Sequence, residues 1–213
     1  IQVKSILSHM ATSDDLAHNE FALEQIEKFN RISNYISKEL EINPIRHILN
    51  TSGISNYPQA QFDMVRLGIG LYGISNDANE QKFLENVGTL KSIISQVRTI
   101  KAGESVGYGR RFIAEKETRI ATIPIGYADG IRRSWGNGLG FVMINNQKAT
   151  IVGSICMDML MVDVTTIPCI EGNEVIVLGE NPSATLMANQ LNTIPYEILT
   201  GISQRVKRIF YRE

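Results

Sequence analysis

Short apolar runs alternate with one long amphipathic stripe through the first third of the chain. Ile1-Gln2-Val3-Lys4-Ser5-Ile6-Leu7 reads as a strand, and the polar turn Ser13-Asp14-Asp15 follows it. Phe29, Ile32, Ile36 and Leu40 recur at helical spacing, which predicts an amphipathic helix with Asn19 as its N-cap. Beyond Asn43-Pro44, Arg46-His47-Ile48-Leu49 predicts a short strand ending in the loop Asn50-Thr51-Ser52-Gly53. A helical turn over 59–62 precedes a third strand, Met64-Val65-Arg66-Leu67, and a second loop, Gly68-Ile69-Gly70. Strands and helices in alternation predict a parallel α/β sheet or barrel.

After Ala78-Asn79-Glu80-Gln81 the period changes. From Leu90 onward, short β-rich runs are separated by turn residues and frequent glycines. They include 119–125, Phe141–Ile144 with Asn145-Asn146 as a hairpin turn, 159–164 and Glu174–Leu178. One helical turn is expected at 186–190. The expected organisation is an α/β part over 1–88 and a β-domain over 89–213. About three βα units are present, whereas a closed eight-unit barrel takes roughly 250 residues. The α/β part is therefore expected to be the last few units of a (β/α)8 barrel whose front half is missing, or to be covered by a partner chain. The opening inside a strand, with no initiator Met, predicts a fragment.

Composition narrows the function. The 213 residues are 43% hydrophobic and 20% charged, with a formal net charge of −1, so there is no general attraction to nucleic acid or anionic lipid. No apolar run approaches the roughly 20 residues of a membrane span. The two cysteines, Cys156 and Cys169, lack zinc-type spacing and cannot build a disulfide framework, which predicts a reducing, cytoplasmic setting.

The loops at Thr51-Ser52-Gly53 and Gly68-Ile69-Gly70 follow consecutive expected strands. They are either plain turns or the backbone-rich anion site common after late barrel strands. Arg66 ends an apolar strand and must be paired or bound, because its charge cannot be removed by deprotonation. Asp63 is its ion-pair candidate. His9, at the end of the first strand, is either a satisfied rim residue or a ligand. Tyr108 and Tyr127 are flanked by small residues that leave their rings unobstructed, and each is either a packed aromatic or a site group. Met157 alone reads as core filler. Cys156 has no nearby histidine to activate it. Tyr196 supplies either an anion-binding hydroxyl or nothing.

Taken together, the segments resemble the alanine racemase family. The matching stretches include Ser8-His9-Met10-Ala11-Thr12-Ser13-Asp14, Asn50-Thr51-Ser52 and the run 63–73 around Arg66. They continue with Val106-Gly107-Tyr108-Gly109, Ile123-Pro124-Ile125-Gly126-Tyr127-Ala128-Asp129-Gly130 and Val152-Gly153-Ser154-Ile155-Cys156-Met157-Asp158, and end at Tyr196-Glu197-Ile198-Leu199-Thr200. The resemblance covers only the back half of the family. It implies a pyridoxal 5'-phosphate enzyme on a barrel with a C-terminal β-domain, interconverting L- and D-alanine for cell-wall precursors.

Site roles follow from the resemblance. Arg66 matches the arginine facing the cofactor's pyridine nitrogen, where a permanent cation disfavours protonating that nitrogen. Tyr108 matches the catalytic tyrosine on one face of the substrate Cα. A free phenol has a pKa of about 10 and needs cationic neighbours to act near neutrality, and the resemblance supplies His9 linked to Arg66 for this. Gly68, Ile69 and Tyr196 match phosphate-binding positions. Thr51 stands where the family usually has serine, with Ser52 as a second hydroxyl. Met157 matches the residue whose backbone holds the substrate carboxylate, and Tyr127 and Asp158 match residues at the substrate entrance. In the family, the tyrosine and methionine reach the other subunit's cofactor, which implies a homodimer with a shared site.

One departure stands out. The family's lysine-bearing motif, a Val-Lys-Ala-Asp-Ala-Tyr-Gly-His-like run, is absent, and Lys4 and Lys91 have no such context. The arginine that pairs with the substrate carboxylate is absent too. Schiff-base chemistry needs an amine at the cofactor aldehyde, so this chain alone is expected to be inactive. The expected function is the C-terminal part of an alanine racemase. The alternatives are a racemase or decarboxylase of the same fold for another amino acid, and a non-catalytic dimerisation or binding module.

Overall fold

A computed structural model describes residues 2–211. The chain divides into two compact units, Ile1–Val87 and Gly88–Glu213.

In the first unit, β1 (Ser5–Leu7) runs to α1 (Asn19–Glu39) and returns as β2 (Ile45–His47), parallel to β1 with Ser5 opposite Ile45. The helix buries Ala22, Phe29 and Ser33, residues that share one face at helical spacing. Ala22 and Phe29 join Met10, Ile48, Leu49 and Tyr57 in a core, and Phe62 meets Phe29 edge-on at 5.2 Å. Ile32 and Leu40, expected on the buried stripe, are exposed; the packed face is rotated toward Ala22 and Ser33. Asn19 is the first helical residue rather than the cap. The helix is entered through a 3₁₀ turn, Leu16–His18, that Asp15 caps by accepting from the Ala17 N–H at 2.9 Å.

Two other expectations of this unit change. The loop expected at Thr51-Ser52-Gly53 is the first turn of α2 (Thr51–Asn56), because Asn50 accepts from the Gly53 N–H at 3.0 Å and caps it. The third strand, expected over Met64-Val65-Arg66-Leu67, forms no ladder. Its backbone meets the β2 segment through Asp63 N–H to Arg46 O (3.1 Å) and Arg66 N–H to Leu49 O (3.0 Å). These donors stand three residues apart, whereas a strand faces one neighbour at every second residue, so the two bonds cannot share a ladder.

The second unit is a curled antiparallel sheet. Its strands in chain order are β3 (Leu90–Ile93), β4 (Gln96–Ile100), the short pair β5 (Ser105–Val106) and β6 (Phe112–Ile113), β7 (Thr118–Ile123), β8 (Phe141–Ile144), β9 (Gln147–Val152), β10 (Leu160–Asp163) and β11 (Glu174–Leu178). β5 and β6 pair only with each other; the other seven lie in the order β3-β11-β8-β9-β10-β7-β4. β3 and β4 form the two edges, yet only Ile94 and Ser95 separate them, so the sheet bends back on itself.

Asn145 and Asn146 have φ of 49° and 59°, the left-handed pair that a two-residue hairpin between β8 and β9 requires. Trp135 is fully buried, and its indole N–H donates to Gln190 Oε1 at 2.8 Å. Gln190 ends α3 (Ala184–Gln190), which Ser183 caps; α4 (Pro195–Gly201) follows with its proline in the first turn. Among the described residues no helix is long and apolar enough to cross a membrane.

Candidate active site

The first unit gathers its chemistry around Arg66. The guanidinium Nη1 donates to His47 Nδ1 at 2.7 Å and to His47 O at 3.3 Å. Nη2 donates to Ser8 O at 2.8 Å, Ile48 O at 3.1 Å and His9 Nδ1 at 3.2 Å. These acceptors sit at or just past the C-terminal ends of β1 and β2, so two adjacent strands together hold one cation. Arginine cannot accept, so in these two contacts the imidazole Nδ1 atoms are the acceptors. Burial, and next the adjacent Arg66 charge, push the His47 pKa down. Nε–H is the one guanidinium donor group with no acceptor among the described residues.

The alternative ion pair between Arg66 and Asp63 does not form. Asp63 instead accepts from the Arg46 backbone N–H at 2.8 Å and faces the Arg46 Nε at 3.7 Å. Arg66 is thus held by neutral acceptors alone and keeps its full charge at the strand ends.

Beside it lies a hydroxyl cradle. The Thr51 side chain is buried, and its Oγ1 accepts from the Gly68 N–H at 2.9 Å and lies 3.5 Å from the Gly70 nitrogen. Its own O–H meets no acceptor among the described residues. A Cβ on Gly70 would stand 2.9 Å from Thr51 Cγ2, so the loop closes on the hydroxyl only without a side chain there. Ser52 is half-buried on the next helical position, and Ile69 is buried beneath the loop. His9, Thr51, Ser52, Arg66, Gly68 and Ile69 therefore all belong to this unit.

The second unit carries a cleft of about 1020 Å³ that brings together Tyr108, Tyr127, Met157 and Asp158 with Arg98 and Arg133. Tyr108 stands between Gly107 (φ 76°) and Gly109 (φ 69°), left-handed conformations that a side chain would strain, and its ring is 75% exposed. Tyr127 opens a 3₁₀ turn, Tyr127–Asp129, laid on the loop carrying Met157: Tyr127 N–H donates to Cys156 O and Ala128 N–H to Met157 O, both at 3.0 Å. The Met157 N–H has no partner among the described residues, and Met157 is exposed. Tyr196 is on α4, exposed, and is not among the residues lining this cleft.

Two side chains that the fold brings to these sites, His47 and Arg205, carry no motif in the sequence. His47 ends β2 and meets Arg66 only through the fold; its place beside Arg46 in an apolar run is the sole local signal. Arg205 bonds Asp129 and Asp158 from a basic tail with no motif of its own.

The comparisons with known proteins agree with this geometry. The sequence matches the family description "Alanine racemase, N-terminal domain" over residues 1–76 and "Alanine racemase, C-terminal domain" over residues 87–210. Alanine racemase 1 of Clostridium acetobutylicum is 39% identical, over 100% of this chain and 56% of that protein. Among solved structures, the alanine racemase of D-cycloserine-producing Streptomyces lavendulae superposes with a TM-score of 0.90 at 34% identity, covering 100% of this chain and 57% of that one. The alanine racemase of Bartonella henselae, solved with covalently bound pyridoxal phosphate, gives 0.84 at 34% identity, covering 99% and 57%. The chain spans little more than half the length of these relatives. With both descriptions matched in order along the sequence, the chain belongs to the alanine racemase family.

Proposed function

We propose that this chain is the C-terminal part of a pyridoxal-phosphate-dependent alanine racemase that interconverts L- and D-alanine. On this reading Ile1–Val87 is the closing portion of a (β/α)8 barrel and Gly88–Glu213 its β-domain. The observation that carries the reading is Arg66: a cation fixed by five contacts, with one N–H left over, suits a neutral ring nitrogen. The Thr51 O–H, buried and without an acceptor among the described residues, suits a phosphate oxygen. The residues present fit the cofactor.

Pyridoxal phosphate supplies an aldehyde for the substrate amine and a conjugated ring that acidifies the α C–H. Arg66, with its Nε–H left over, would hold the ring nitrogen, and as a permanent cation it would disfavour protonation there. Thr51, Ser52, Gly68 and Ile69 would hold the phosphate, and the family resemblance gives Tyr196 the same role. Tyr108 moves the proton at one face of Cα, and its freedom from packing lets the ring reach a substrate. Met157 N–H receives the substrate carboxylate, while Tyr127 and Asp158 border the entrance. Tyr108 and Met157 serve the site of a second subunit, so the active form is a homodimer. The Schiff-base lysine belongs to the part of the racemase outside these 213 residues.

A coupled D-amino-acid assay with added cofactor tests the proposal on the complete protein and on the 213-residue chain. Turnover by the first and none by the second is expected. An inactive complete protein overturns the function; stereospecific turnover by the shorter chain, well above the free-cofactor blank, overturns the placement of the lysine.

A further inference from the structure

The Tyr127–Asp129 turn and the Met157 loop are bonded along one side by backbone alone. Gly126 makes that approach possible, since a Cβ there would fall 2.3 Å from Cys156 O and 2.4 Å from Met157 O. On the other side the join is made by a side chain from the C-terminal segment. Asp129 accepts from the Gly126 N–H through Oδ2 at 2.8 Å, which leaves Oδ1 for Arg205 Nε at 2.7 Å. The same guanidinium reaches Asp158 Oδ1 through Nη2 at 2.7 Å. The Ser203 N–H donates to Asp129 O at 2.9 Å, which keeps the segment carrying Arg205 in register over the turn.

We infer that Arg205 is a positioning residue for the substrate, a planar clamp that holds the loops bearing Tyr127 and Met157 at one separation. This rests on the reading of Met157 and Tyr127 as substrate-side groups. Two features make the arrangement more than a surface ion pair. Nε and Nη2 of one rigid plane serve two carboxylates on two different loops, a span that a single ammonium cannot reproduce. Without the cation, Asp129 and Asp158 become two like charges facing each other, so the loop that carries Met157 is pushed away from the turn that carries Tyr127. The same uncovered charge opposes the approach of the substrate carboxylate. Both consequences act on binding rather than on the proton transfer at Tyr108, so they belong in KM.

The test uses the full-length, cofactor-loaded racemase. Arg205→Gln is expected to raise KM for alanine about tenfold, below the ~10²-fold that an ångström of misplacement costs, with kcat within about twofold. Arg205→Lys is expected to fall between the two, and Asp158→Asn, at a half-exposed position whose loss leaves the fold intact, to shift KM in the same direction. Amide exchange of 126–130 and 156–158 is expected to quicken in Arg205→Gln while exchange in β7 stays unchanged. An unchanged KM in an active enzyme overturns the inference and leaves the racemase reading standing. Equal falls in kcat and thermal stability with KM unmoved mark a merely structural residue and overturn it too. An inactive wild type overturns the racemase reading instead, and unaltered exchange in both loops then overturns the clamp itself.

Discussion

Arg66→Gln removes a guanidinium from a place where the fold has collected acceptors for it. Three backbone carbonyls and two imidazole nitrogens lose a charged donor at once. Water can replace it at Ser8 and at exposed His9, but His47 is 4% exposed and Ile48 0%, so those acceptors are cut off. Hydrogen bonds to charged groups contribute about 1.5–3 kcal/mol each, and the glutamine amide remakes about one, so a net loss of about 3 kcal/mol is expected. For a domain of this size that lowers the unfolding midpoint by more than about 10 °C. The helical circular-dichroism signal reports it, since α1 is the longest helix and packs on the same core.

The pH profile carries a second, independent signature. His47 is held below its ordinary pKa by burial and then by Arg66, so between that value and about 6.5 the unfolded chain binds more protons than the folded one. Stability is therefore full above about pH 6.5 and falls as the pH drops through this window. Without Arg66 the electrostatic share disappears and the burial share stays, so the acid slope becomes shallower but does not vanish. A variant within about 0.5 kcal/mol of the parent at pH 8, or one retaining the full acid slope, would refute the picture of a cation tying two strand ends together.

In the complete racemase, Tyr108→Phe should slow racemisation about 10²–10⁴-fold in both directions. Deuterium wash-in at Cα should collapse for L-alanine and persist for D-alanine, and equal loss for both would reduce Tyr108 to a positioning role. The same change should leave the melting temperature of the 213-residue chain within error, because the ring is 75% exposed. Gly140→Ala drives a Cβ to 2.4 Å from the buried Trp135 ring and 2.6 Å from its carbonyl, and chemical denaturation should show a loss of at least about 1–3 kcal/mol. Limited proteolysis should cut first between 76 and 89 and leave a fragment beginning near Leu90; first cuts within the seven-stranded sheet would refute the independence of that unit.

What the sequence disclosed followed the range of the interactions. Phe141–Ile144, Asn145-Asn146 and Glu174–Leu178 were legible because alternation and turn chemistry are local, and the structure places strands and turn at those positions. Gln147–Val152 escaped because its first residues are polar and its strand character comes from pairing with β8 and β10. The α2 turn reads as a loop because Gly53 hides it, and because its cap, Asn50, is itself fixed by Ser13 Oγ, which donates at 2.7 Å from 37 residues away. Arg66 reads locally either as a bound group or as half of an ion pair with nearby Asp63; the fold turns Asp63 to Arg46 instead, and the His9 link implied by the resemblance is present at 3.2 Å. Tyr108 and Tyr127 stand out locally by their small flanking residues, whereas Met157 and Asp158 enter only through the family resemblance; the fold lines one cleft with all four. Arg205 belongs to no motif, and only the folded tail shows what it joins.

The strand order also sets when this unit can form. β3 is the first strand of the seven-stranded sheet to leave the ribosome, and its neighbour among the described residues, β11, is the last; Lys91 and Glu174, which pair across that seam, are 83 residues apart. Closing so long a loop costs entropy before any contact repays it, which places the unit among slow, high-contact-order folds. Until β11 arrives, the β3 edge has unpaired N–H and C=O groups, a template for association with other nascent chains. A stop codon between Asp163 and Glu174 therefore leaves β3 and β8 without the strand that joins them, and the sheet open at that seam.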